Sequence, residues 1–139
     1  MQIADVNVLP YAINEQAHHH FAAKKWLEQT LNGATTVGFP WVVLLAFLRL
    51  STHPAIAAQL GAGHRILEGW LSRPNAVIAA PSPRHLGMVR GLLEEVGTAG
   101  NLVNDAHLAA LALEHHAEIV SFDGDFDRFH GVRRVLPRE

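Results

Sequence analysis

Four aspartates stand where carboxylates could share one task. Asp5 interrupts the apolar run Ile3-Ala4-Asp5-Val6-Asn7-Val8-Leu9, Asp105 sits in the first turn of a segment that opens Asn104-Asp105-Ala106-His107, and Asp123 and Asp125 follow directly on Ile119-Val120-Ser121-Phe122. Like charges crowded together repel and raise one another's pKa unless a cation neutralises them. A cluster of these groups therefore points to Mg²⁺, or Mn²⁺, held through a few carboxylates and several waters. The chain has no cysteine, which leaves oxygen and imidazole as ligands and suits hard ions. Each acid alone also has an ordinary explanation. An aspartate in a helix's first turn favours the dipole by ~0.3 to 1 kcal/mol, Asp-Gly-Asp is good turn chemistry, and a polar residue in a strand can be satisfied locally. The expectation rests on Asp5, Asp105 and Asp123 together, because burying an unpaired carboxylate is costly. Asp127 reads as solvated surface.

Other chemistries fit less well. The ten histidines include no pair at i, i+4 and no HExxH, so a structural zinc site is not expected. There is no GxSxG, GxxxxGK[ST] or GxGxxG motif, which discourages hydrolase-triad, nucleoside-triphosphatase and dinucleotide-binding readings.

The elements that must position the acids alternate in type. Ile3 to Leu9 reads as a buried strand ending at Pro10, and His20 to Leu31 as an amphipathic helix stopped by Gly33. Thr35 to Phe39 reads as a strand, Trp41 to Leu50 as a buried helix, and Ile66 to Leu71 as part of another helix. A strand over Ala76 to Ala80 precedes a helix capped by Ser82, with Pro83 at its first position, and running to Gly97. Gly97-Thr98-Ala99-Gly100 is a turn, Asn104 caps a helix ending at Glu114-His115-His116, and Ile119 to Phe122 and Val132 to Leu136 are strands. Such alternation implies an α/β domain over 1–139 with a central, mostly parallel sheet and helices on both faces. Ligands in such sheets bind outside the carboxyl ends of strands, the edge to which these segments deliver their acids.

The 139 residues are 49% apolar and 17% charged, with a net charge of −2. This composition builds a core and excludes disordered and polybasic chains. The longest apolar stretch, Trp41 to Leu48, is far short of the ~20 residues that span a bilayer. The N-terminus lacks a basic region ahead of an apolar core, so a cytoplasmic protein is expected.

Asp5-Val6-Asn7, the segment Asn104-Asp105-Ala106-His107-Leu108-Ala109-Ala110, and Ser121-Phe122-Asp123-Gly124-Asp125-Phe126 with Arg128-Phe129 strongly resemble the PIN domain. More narrowly, with His20, Ala23 and Trp26-Leu27 of one helix and Phe47-Leu48-Arg49 of the next, the chain resembles bacterial VapC-type toxins. The resemblance implies a three-layer α/β/α fold with four to five strands. It also implies a Mg²⁺-dependent ribonuclease that cleaves structured RNA such as transfer or ribosomal RNA and leaves a 5′-phosphate and a 3′-hydroxyl. Such a toxin forms a homodimer and is silenced by a VapB-type antitoxin, which sets a basic side chain in the acidic pocket and a helix in a groove of the first helices. Carried over by position, Asp5 and Asp105 are the main metal ligands, Asp123 completes the cluster, Asp125 supports it or holds the loop, and Asn7 hydrogen-bonds Asp5 or a metal-bound water.

One position departs from the family. Where many members carry a glutamate just before Phe-Leu-Arg, this chain has Ala46. A natural subgroup that manages without it, a replacement from Glu94, Glu95 or Asp125, and an introduced substitution all remain open. A second reading is thus a catalytically weak PIN-like protein that binds RNA or antitoxin. Candidate phosphate contacts are Lys24, Lys25, Arg49, Arg128, Arg133 and Arg134. Arg49 leads, as the sole charge of an apolar helix one turn from Ala46, with a buried ion pair as its structural alternative.

Overall fold

The computed structural model describes residues 1–57, 61–97 and 102–139. Five parallel strands, β1 (Gln2–Ala4), β2 (Val37–Phe39), β3 (Ala76–Ile78), β4 (Glu118–Val120) and β5 (Arg134–Val135), form a sheet in the order β3-β2-β1-β4-β5. The described helices are α1 (Val8–Ile13), α2 (His20–Leu31), α3 (Trp41–Thr52), α4 (Gly63–Leu71), α5 (His85–Val96) and α6 (Val103–Glu114), with a 3₁₀ turn over Gly124–Arg128. Successive strands step one way from β1 to β3, and the chain then crosses back to β4 on the other side of β1. Right-handed crossovers therefore set α1 to α4 on one face and α5 and α6 on the other, the α/β architecture expected from the alternation. Ile3, Ala4, Val37, Phe39, Ile119 and Val120 are fully buried between these layers.

The opening segment differs from its expected course. The strand stops after Ala4, and Val8-Leu9-Pro10 begin α1 instead of ending β1. Proline lacks an N–H, but donors in a helix's first turn have no intrahelical partner, so Pro10 fits there without loss. The buried apolar run thus serves a strand and a helix in turn, with Asp5, Val6 and Asn7 at the bend between them.

Two caps also fall elsewhere. α5 starts at His85, and Ser82 lies ahead of it, its hydroxyl donating to Glu114 Oε1 at 2.8 Å and accepting from the Arg84 N–H at 3.2 Å. Asn104 lies inside α6, whose flanking residue is Leu102. Gly97 does end α5, in the left-handed conformation at φ 67°, with its N–H on the Leu93 carbonyl. The rest of the turn expected over 97–100 lies outside the described residues.

α5 and α6 are joined by polar contacts that link distant segments. His85 Nε2 and His107 Nδ1 lie 2.7 Å apart, and His85 Nδ1 lies 3.3 Å from Glu114 Oε1. His107 and Glu114 are seven residues apart, two helical turns, and so share a face of α6. Trp26 is likewise a core residue: it is buried and donates its indole N–H to Gln2 Oε1 at 2.8 Å.

Candidate functional site

Adjacent strands β1 and β4 end side by side, and each delivers an acid within a few residues. Asp5 follows β1 immediately, its N–H still on the Val120 carbonyl of β4 at 2.9 Å. It is 4% exposed, yet it has partners. Oδ1 accepts the Val6 N–H and Oδ2 accepts the Ser121 hydroxyl, both at 2.7 Å. Ser121, fully buried, also accepts the Asp123 N–H at 2.9 Å and so couples the two strand ends. Asp123 Oδ1 then accepts the Asp125 N–H at 2.8 Å and opens the 3₁₀ turn. The turn reading and the site reading of Asp-Gly-Asp therefore describe one structure: the bond that shapes the turn also fixes the Asp123 carboxylate.

Asp105 completes the group from the first turn of α6. One carboxylate oxygen each from Asp105, Asp123 and Asp125 lies within 4.8 Å of the others. All three donors are oxygens, a set that fits a hard divalent ion. Burial, followed by the charges of Asp5, Asp123 and Asp125, pushes the Asp105 carboxyl up to about 6. Burial also pushes Asp5 up, against the hydrogen bonds from Ser121 and Val6, with Asp123 adding repulsion. These are the shifts expected of like charges crowded together and partly withdrawn from water.

The structure groups the acids somewhat differently from the expectation. Asp125 stands with Asp105 and Asp123, whereas Asp5 is held beside them by Ser121 and Val6, not by Asn7. Glu94 accepts a hydrogen bond from Arg90 on its own helix, and among the described residues neither it nor Glu95 belongs to the cluster. Sequence reasoning did not single out Ser121 as a site residue, because a serine within the expected strand Ile119 to Phe122 has no distinguishing spacing.

Two clefts flank the acids, and Asn7 lines both. One, of about 470 Å³, is lined by Val6, Asn7, Ala46, Arg49 and Asn104 among others. Arg49 is exposed there and forms no ion pair among the described residues, which removes the buried-pair alternative. The other, of about 190 Å³, is lined by Asp5, Asn7, Tyr11, His19, Phe122 and Asp123. The His19 ring stacks on Phe122 at 4.1 Å and 10°, and Tyr11 leans on both at 5.7 and 5.8 Å.

The remaining cations are mostly engaged elsewhere. Lys24 lies 4.0 Å from Glu28 and lines a separate cleft with Trp70 and Arg73, and Lys25 is exposed on the same helix and lines neither acidic cleft. Arg133 meets Glu118 at 3.3 Å, at the amino end of β4, opposite the acids. Arg134 grips both oxygens of Asp127 at 3.0 Å and donates to the Ser121 carbonyl at 3.2 Å. Asp127 is therefore a loop anchor and not idle surface. Arg128 is exposed at the end of the 3₁₀ turn.

Comparison with known proteins bears on the family and the fold. A family model described as PIN domain matches residues 3–132. Ribonuclease VapC37 of Mycobacterium tuberculosis is 49% identical, with 99% of this chain and 97% of the relative covered. Ribonuclease VapC33 of the same species is 41% identical over 99% and 98%. Among solved structures, VapBC2 from Rickettsia felis bound to a promoter DNA fragment superposes with a TM-score of 0.68 at 22% identity, covering 96% of each chain. A toxin–antitoxin complex from Klebsiella pneumoniae gives 0.67 at 18%, covering 100% of this chain and 99% of the other. At those identities the structures establish the fold.

Proposed function

The chain belongs to the PIN domain family, among the VapC ribonucleases, and from that premise we propose that it is the toxin of a toxin–antitoxin pair, a Mg²⁺-dependent endoribonuclease acting on structured RNA such as transfer or ribosomal RNA. The observation that carries the reading is the convergence of Asp105, Asp123 and Asp125 within 4.8 Å at the carboxyl edge of the sheet. Their all-oxygen chemistry and the raised Asp105 pKa fit Mg²⁺, or Mn²⁺, with these three as its holders and Asp5 adding negative charge beside them. Such an ion supplies a Lewis acid that activates water and offsets charge developing on the phosphate.

The protein's own residues supply position. Ser121 fixes Asp5 through its hydroxyl and Asp123 through its oxygen, so the strand ends cannot drift apart without breaking the buried bond to Asp5. Arg134, braced by Asp127, holds the backbone of the loop that presents Asp123 and Asp125. The exposure of Arg49 in the larger cleft supports assigning it to an RNA phosphate. Cleavage by attack of water leaves a 5′-phosphate and a 3′-hydroxyl.

A VapB-type antitoxin, a homodimer and a cytoplasmic location complete the proposal. No helix among the described residues is long and apolar enough to cross a membrane. Ala46 does not favour the weak-binder reading, because Asp125 brings a third carboxylate to the cluster. The test is incubation of the protein with total bacterial RNA and Mg²⁺. Discrete products that disappear with EDTA and with Asp105→Asn are expected; cleavage indifferent to both changes would overturn the proposal.

A further inference from the structure

The smaller cleft has a composition that the acid chemistry does not require. Its walls are three aromatic rings from separate segments: Tyr11 of α1, His19 just before α2 and Phe122 just after β4. All three are half-buried: Tyr11 and Phe122 pack partly against the core, and each of the three also lends surface to the cleft. The rings pack on one another, His19 on Phe122 with Tyr11 leaning on both, and so join the α1–α2 connection to the segment after β4. The α1–α2 connection is also tied by Ala17 N–H to the Asn14 carbonyl, His20 N–H to the Ala17 carbonyl, Gln16 N–H to Asn14 Oδ1 and His20 Nδ1 to the Tyr11 carbonyl. The lining also carries two acids and no lysine or arginine, so an anionic chain cannot be held on this side by charge.

From this geometry we infer that Tyr11, His19 and Phe122 form a stacking subsite for one unpaired base of the RNA, next to the phosphodiester that faces Asp105 and Asp123. The inference rests on the ribonuclease reading and adds where a flanking nucleotide sits. Aromatic rings hold bases of single-stranded nucleic acid through their π-faces, which needs no positive charge. Asn7 lines both clefts, so a strand passing it runs from the Arg49 side, where a phosphate finds a cation, to the aromatic side, where a base finds rings. Tyr11, His19 and Phe122 are positioning residues, not groups that act on the reacting bond.

The probe is a ten-nucleotide oligouridylate with one central 2-aminopurine, whose fluorescence is quenched by stacking. It is mixed rapidly with protein in Mg²⁺, and the amplitude is read before cleavage. The native protein and His19→Phe should quench it. His19→Ala and Phe122→Leu, checked for an unchanged melting transition, should bind about five- to 150-fold more weakly, the range that base–aromatic stacking supplies. A native protein that binds without quenching, or a folded His19→Ala that quenches and binds like the native protein, would overturn the subsite and leave the rings as loop packing. Absence of binding by the native protein would overturn it as well. Quenching that depends on His19 without cleavage of total RNA would instead retain the subsite and refute the nuclease reading.

Discussion

Replacing Asp105 by asparagine in the absence of divalent ions should stabilise the protein, although it removes a charge from a candidate metal site. The folded state raises this carboxyl from 3.8 to about 6, which at 1.36 kcal/mol per unit corresponds to ~3 kcal/mol against the ionised form. The group is only half-buried, so solvent screening reduces this to ~1.5 kcal/mol. Losing an acid from the first turn of α6 takes back ~0.5 kcal/mol of dipole interaction. The net gain of ~1 kcal/mol corresponds to a melting temperature higher by ~3 to 5 °C for a domain of this size. The sign with pH follows from the raised value. The folded protein takes up a proton as pH falls from about 6 towards 3.8, so the ionic penalty is full above pH 6 and fades below it. Mg²⁺ should reverse the order, since an ion at tenfold its Kd stabilises the native protein by ~1.4 kcal/mol. Thermal unfolding in EDTA at pH 7.5 and 4.5, repeated with Mg²⁺, reads all of this. A variant less stable than the native protein in EDTA at pH 7.5, or a difference indifferent to pH, would refute the charge-crowding argument.

Three other outcomes follow from the same contacts. Ser121→Ala removes the hydroxyl that satisfies buried Asp5 and should cost ~1 to 3 kcal/mol in urea unfolding; native stability would show that Asp5 finds another partner. Glu114→Gln should destabilise the protein at pH 7. Burial opposes the ionised Glu114, but Ser82 and His85 together hold its carboxyl below the usual range. Its contribution is present above 4.5 and lost as pH falls through the folded value, so melting curves of the two proteins should converge in acid. Arg49→Ala should raise KM for RNA cleavage with kcat little changed while Lys24→Ala changes neither, and equal effects would remove Arg49 from the substrate path.

The acids were legible because strand ends deliver side chains to a known edge, and three separate segments each carried one there. Their grouping was not. Whether Asp5 or Asp125 joins Asp105 and Asp123 depends on the bond from the Asp125 N–H to Asp123 and on the hold of Ser121 on Asp5, contacts that spacing does not encode. The first strand was read too long because β-branched and apolar residues serve equally in a buried strand and a buried helix start, and Pro10 ends the one while suiting the other. The placing of the cations was not legible either, because an exposed lysine or arginine looks alike at either end of a sheet; tertiary pairing sends Arg133 to Glu118 and Arg134 to Asp127. The aromatic cleft was unreadable for a different reason, since its three rings come from three elements with no common period.

Soaking a crystal of the protein in Mn²⁺ and computing an anomalous difference map tests most directly whether Asp105, Asp123 and Asp125 gather on a divalent ion. A peak within bonding distance of oxygens from all three is the expected result. A map with no peak there, or with manganese bound only at other surface acids, would contradict it.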